Sequence, residues 1–110
     1  MDNYPILYTN NAIKDLRDIY DYISIDLKSP DVAAVQIKRI LNEIRSLSLF
    51  PKMFKTVEWE PWSNSGMHQM PVDNFIVFYI ADDIKMSVQI IRVIYGKRDI
   101  PGLIQSSEKL

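Results

Sequence analysis

The hydrophobic period of the chain changes once, at Phe50-Pro51, and this change constrains the fold more than any other feature. Before it, apolar residues recur at spacings of three and four; after it they fall into short runs of period two. From Asn11, the positions Ile13, Leu16, Ile19, Tyr20, Ile23 and Leu27 form one stripe of a helix running to about Lys28, with Asn10 or Asn11 as its cap. Lys14 with Asp18 and Arg17 with Asp21 stand one turn apart on the solvated side, pairs worth about 0.2 to 0.5 kcal/mol each. Ser29-Pro30-Asp31 stops this helix and starts another: serine as N-cap, proline where no amide hydrogen is needed, aspartate against the positive helix end. Ala33, Ile37, Ile40, Leu41, Ile44 and Leu47 then continue a helical stripe to Phe50-Pro51.

The flanking segments read as strands. YPILY, residues 4–8, is aromatic and branched, with Pro5 confining it to an edge or a strand start. Beyond Pro51 the candidates are 54–60, 67–72, 74–81 and 86–95. Turns are expected at 62–66, at Asp73-Asn74 and at 82–85. Phe75, Val77 and Tyr79 alternate with Ile76, Phe78 and Ile80, so this strand is apolar on both faces, as a strand covered on both sides would be. The expected fold is α+β: an N-terminal strand and an antiparallel two-helix hairpin packed on a twisted, mainly antiparallel sheet of four to five strands.

The 110 residues, 47% hydrophobic and 25% charged, fit one domain spanning 1–110, with 101–110 a tail that is either mobile or ordered against a partner. A chain of this size buries about 65% of its unfolded surface, so any site is expected to be a shallow groove. With no cysteine and His68 as the single histidine, neither a metal site nor a cofactor is expected. The first residues carry neither a basic segment nor an apolar one, and no run approaches the roughly 20 apolar residues of a membrane span, so a cytoplasmic protein without membrane contact is expected. The net charge of -1 hides a segregation. Residues 1–31 hold six acids against three bases, whereas 84–98 hold Lys85, Arg92, Lys97 and Arg98 with no acid, and 36–55 hold five bases against Glu43 alone.

Five stretches occur in order: AIKDLRDIYDYI, SPDVA, SLSLFPKM, MHQMPVDNFIVFYI and RVIYGKRDI. Together they resemble the RelE/ParE superfamily of toxins from bacterial type II toxin-antitoxin modules, over about residues 4–100. The resemblance implies a small growth-inhibiting protein neutralised by a cognate antitoxin, with operator DNA met only through that antitoxin. Two activities divide the superfamily: RelE-like members cleave messenger RNA on the ribosome, and ParE-like members inhibit DNA gyrase.

Cleavage through a ribose 2'-hydroxyl needs a proton acceptor, a proton donor and cations at the phosphate. The RelE-like ribonucleases carry such cations on their middle strands, but residues 67–80 here contain no lysine or arginine. This departure moves the expectation from catalysis toward binding. On a ribonuclease reading, Arg98 and Arg92 would bind phosphate and Tyr95 or His68 would move protons. On a binding reading, Lys97, Arg98 and Asp99 with Arg92 would form the surface that meets target or antitoxin. Each also has a structural reading. Arg92 would pair with Glu58 or Glu60, Arg98 and Asp99 would close the sheet end with a salt bridge, and His68 would be packed or solvated beside Met67 and Met70. Trp59 and Trp62 would belong to core or interface, and Gly96 would give the backbone freedom where pairing stops. Three functions follow: a gyrase-inhibiting toxin, a ribosome-dependent messenger RNA endoribonuclease, or an inactive toxin kept as an antitoxin-binding co-repressor.

Overall fold

The computed structural model describes residues 3–59 and 65–97. The expected tail 101–110, Glu60, Trp62, Arg98 and Asp99 lie outside the described residues. The elements are β1 (Ile6–Tyr8), α1 (Asn10–Asp21), α2 (Pro30–Ser46), β2 (Met67–Val72), β3 (Phe75–Asp82) and β4 (Ser87–Tyr95). The sheet order is β1-β4-β3-β2, with β1 parallel to β4 and the other pairs antiparallel. The architecture is the expected α+β one, with Pro5 just ahead of an edge strand.

Helix α1 is capped one residue earlier than expected. The hydroxyl of Thr9 accepts from the Ala12 N–H at 3.0 Å and donates to the Ile91 carbonyl at 2.9 Å. One hydroxyl can do both and so ties the helix start to β4, leaving Asn10 and Asn11 as its first residues. The helix also ends sooner than its apolar stripe. Residues Tyr22–Asp26 widen into a π-helical turn in which the Leu27 N–H reaches the Tyr22 carbonyl, five residues back, at 3.0 Å. Ile23 is buried there, while Ile25 and Leu27 project into solvent. Lys28 takes the left-handed conformation, φ 55°, that closes the turn. Ser29 caps α2 through its backbone carbonyl only; its hydroxyl donates to the Leu27 carbonyl at 3.1 Å. Of the two expected helical ion pairs, Lys14–Asp18 forms at 3.3 Å, and Arg17 and Asp21 instead flank a groove.

The main core lies between helices and sheet. Ala12, Leu16 and Ile19 of α1 and Ile40, Ile44 and Leu47 pack against Met70, Val77, Tyr79, Val88, Ile90 and Val93. A fully buried isoleucine or valine contributes about 1.5 to 3 kcal/mol, so this layer carries most of the stability. A smaller cluster on the other face joins Val57, Met67, Phe78 and Ile94, with Trp59 edge-on to Phe78 at 6.1 Å. Two clusters on opposite faces are what the double apolar alternation of β3 requires.

Among the described residues, the expected strand 54–60 is reduced to a single bridge, Thr56 to His68, flanked by hydrogen bonds from Val57 N–H to the Met67 carbonyl and from Gln69 N–H to the Lys55 carbonyl. Pro71 has no N–H to extend this ladder, and the His68 ring occupies the Phe54 carbonyl. Both expected hairpins form. Asp73 turns the first at φ 55° and is gripped from α2 by Arg39, at 2.7 and 2.8 Å, and by Gln36 at 3.0 Å. In the second, an Asp82 carboxylate oxygen accepts the N–H groups of Ile84 and Lys85, each at 3.0 Å.

Candidate functional site

The candidate residues of β4 are placed by one irregularity. Phe78 pairs with Arg92 and Tyr79 with Ile90, leaving Ile91 as the extra residue of a β-bulge. Val88 and Ile90 face the helices upstream of it; downstream Val93 takes that face and Ile94 joins the opposite cluster. An uninterrupted period of two would have placed Ile94 with Val88 and Ile90.

At the bulge the three-residue β1 has ended, and α1 runs beside β4 in its place. Asp15 fills the vacancy. It accepts from Arg92 Nε at 2.7 Å and Nη2 at 2.8 Å, and from the Val93 N–H at 3.0 Å. The two side chains are only 15% and 11% exposed, and the hydrogen bond from Arg92 raises its already high pKa. An acid of α1 thus engages Arg92 where a strand neighbour, Glu58 or Glu60, was expected; Glu58 forms no ion pair with it, and Glu60 lies outside the described residues. Asp15 went unnoticed in the sequence, though it sits beside Leu16 in the inner row Ala12, Leu16, Ile19.

Tyr95 and Lys97 are exposed at the end of β4. Tyr95 packs edge-on to Phe75 at 5.9 Å, and the Gly96 N–H reaches the Asn74 carbonyl at 2.8 Å. Gly96 is not in the left-handed region; its value is the close approach, since a β-carbon there would lie 3.3 Å from the Asn74 carbonyl oxygen. The sequence-based role of Gly96 as a source of backbone freedom is corrected accordingly.

His68 is buried on β2. Its ring stacks on Tyr79 at 5.0 Å and 13°, and Nδ1 lies 2.6 Å from the Phe54 carbonyl. A carbonyl has no proton to give, so Nδ1 carries one. Burial pushes the Tyr79 hydroxyl up to about 12, an effect the nearby Phe54 backbone only partly offsets. No group among the described residues hydrogen-bonds the buried Tyr79 hydroxyl.

These side chains do not converge. His68 lies opposite Tyr79 and Tyr95 opposite Phe75, so the two are separated by four residues along β3, roughly 13 Å, and by two strand spacings across the sheet. Arg92 is already engaged by Asp15. What the end of β4 offers is an exposed aromatic and a cation, Tyr95 and Lys97.

A second feature lies on the outer side of the helical hairpin. Ile13, Leu16, Tyr20, Ile37 and Leu41 line an open groove of about 370 Å³ between α1 and α2, with Arg17 and Asp21 beside it. Ile13 and Tyr20, two residues of the apolar stripe of α1, are 40% and 39% exposed. Among the described residues no cluster of potential metal ligands occurs, and no helix is long and apolar enough to cross a membrane.

The family model described as the ParE toxin of type II toxin-antitoxin system, parDE, matches residues 6–100. The chain belongs to the ParE toxin family. Solved structures with the same fold as this ParE-family chain include the chromosomal ParDE system of P. aeruginosa, with a TM-score of 0.69 at 19% identity over 84% of this chain and 95% of that one. The RelBE2 toxin-antitoxin complex of Mycobacterium tuberculosis gives 0.59 at 22% identity, over 84% and 98% of the two chains. A substituted E. coli RelE toxin in the free state gives 0.67 at 12% identity, over 100% of both. No curated protein matches, so kinship rests on the family model and likeness of fold on the structures. The superfamily resemblance carried by the five sequence stretches thus holds for this ParE-family toxin.

Proposed function

We propose that this ParE-family chain inhibits bacterial growth through protein-protein contact, with DNA gyrase as its target, and is neutralised by a cognate antitoxin. The observation that carries this reading is the engagement of Arg92 by Asp15 beside strands β2 and β3, which hold no lysine or arginine. A phosphate-cleaving centre needs free cations close to proton-transfer groups. Here His68 is buried two strands away from β4, and a protruding end, Tyr95 to Lys97 followed in sequence by Arg98 and Asp99, is better suited to gripping a protein surface. The antitoxin is assigned to the apolar groove of the helical hairpin, which suits the inner face of an amphipathic helix. The ParDE and RelBE2 relatives are named as toxin-antitoxin systems, which supports such a partner.

The exposed Tyr95 and Lys97, with Arg98 next in sequence, favour a second reading, a ribosome-dependent messenger RNA endoribonuclease. Induced expression with pulse labelling separates the two. Early loss of thymidine incorporation, with inhibition of supercoiling by purified gyrase, is expected. Early loss of amino-acid incorporation with cut transcripts would sink the gyrase reading, and normal growth on induction would select the inactive co-repressor.

A further inference from the structure

Beyond the last turn of α2 the chain exposes apolar side chains that the core leaves out. Phe50 and Met53 are each 58% exposed, and Ile84, at the tip of the β3–β4 turn, is 95% exposed. Isolated exposed apolar residues are ordinary. The segments that carry them meet, because Lys52 forms an ion pair with Asp83, which also accepts from the Tyr4 hydroxyl at 3.0 Å. That clasp sets the loop carrying Phe50 and Met53 against the turn carrying Ile84.

Both segments are already fixed in shape. The Phe50 N–H bonds the Ser46 carbonyl, the Met53 N–H bonds the Phe50 carbonyl, and Asp82 holds the turn through two backbone N–H groups. A partner therefore meets a surface whose ordering cost has been met in folding. The same contacts set its charge. Asp83 is held below the ordinary carboxylate range by Lys52 and Tyr4, and Asp82 is directed at the backbone. Lys55 and Lys85 stand exposed, and neither forms an ion pair with another described residue.

We propose that this loop and turn form a second docking surface, separate from the helical groove, for an acidic segment of the antitoxin anchored by apolar side chains. The inference rests on the reading that an antitoxin neutralises this chain, and adds a place and a chemistry for its grip. Nucleic acid would gain nothing from a projecting Ile84, and Lys55 and Lys85 fall short of the cluster of roughly four to eight cations that holds an anionic lipid surface. An acidic polypeptide with one or two large apolar residues uses both properties.

The test is calorimetric titration of the full chain with the antitoxin encoded beside it, for the wild type, Lys85→Glu and Ile84→Ser. Both positions are exposed, so the melting temperature should not move. Each variant is expected to bind on the order of tenfold more weakly. Salt should weaken the wild type more steeply than Lys85→Glu. Variants that bind the antitoxin as the wild type does overturn the inference, even where they lose gyrase inhibition or adhesion to phosphatidylserine vesicles, since the patch then serves another partner. A wild-type chain that binds no antitoxin overturns the functional reading beneath it.

Discussion

Asp15 receives the two ends of the Arg92 fork and the Val93 N–H on a single carboxylate, and few residues in the chain are so committed. Replacing it by alanine removes a two-pronged acceptor from a largely buried guanidinium and one from a backbone N–H. Asp15→Ala is expected to lower stability by about 3 kcal/mol, and Asp15→Asn, which keeps an acceptor, by less, as read from urea unfolding midpoints at unchanged slope. Asp73 behaves differently because it is exposed to solvent. Arg39, and then Gln36, hold its carboxyl below the usual carboxylate value. A lowered folded-state pKa gives stability that is present above the unfolded value, near about 3.9, and is lost as the pH falls through the folded one. The melting temperature of the wild type should therefore exceed that of Asp73→Asn by a constant margin near neutrality. That margin should close in acid, and one that persisted to low pH would count against the pairing.

At the scale of elements, Thr9 joins a helix to a strand with one hydroxyl. Thr9→Ala is expected to cost about 1 to 2 kcal/mol by thermal unfolding, and Thr9→Ser, which keeps the hydroxyl, much less. Most of the fold was legible at this scale. The change of period at Pro51, the break at Ser29-Pro30-Asp31, strand β2 to the residue, and the two-faced apolar pattern of β3 all appear in the structure as expected. The misses share a cause, namely side chains that compete with regular hydrogen bonding. Thr9 displaced the asparagines as cap, and Pro71, opposite Met53 in the register of the Thr56–His68 bridge, offers no N–H to carry that ladder further. The bulge at Ile91 is invisible to a period of two, because Ile91, Val93 and Ile94 satisfy either register equally well. Asp15 as a partner of Arg92 could not be read for the same reason: once the alternation slips, Arg92 comes within reach of an acid on a helix. The tight approach at Gly96 also depended on the neighbouring hairpin, which no local signal encodes.

At the scale of the molecule, the proposed surfaces are spread apart. The turn bearing Ile84 precedes β4 and Lys97 follows it, so nine strand residues, roughly 30 Å, separate two basic ends. The helical groove opens on the outer side of the helical hairpin. Placing charge there should therefore separate neutralisation from poisoning. A Tyr20→Asp, Leu41→Asp pair is expected to weaken antitoxin binding by more than about tenfold, measured by titration, while gyrase inhibition by the free chain is retained. Loss of both together, in a chain that melts normally, would mean that groove and target surface are one. The stand-in made by Asp15 has one more consequence. Beyond β1 the outer edge of β4 would otherwise offer its amides to any passing extended chain, the usual seed of sheet-to-sheet clumping. A charged carboxylate already fastened on the Val93 N–H closes that template to an added strand there.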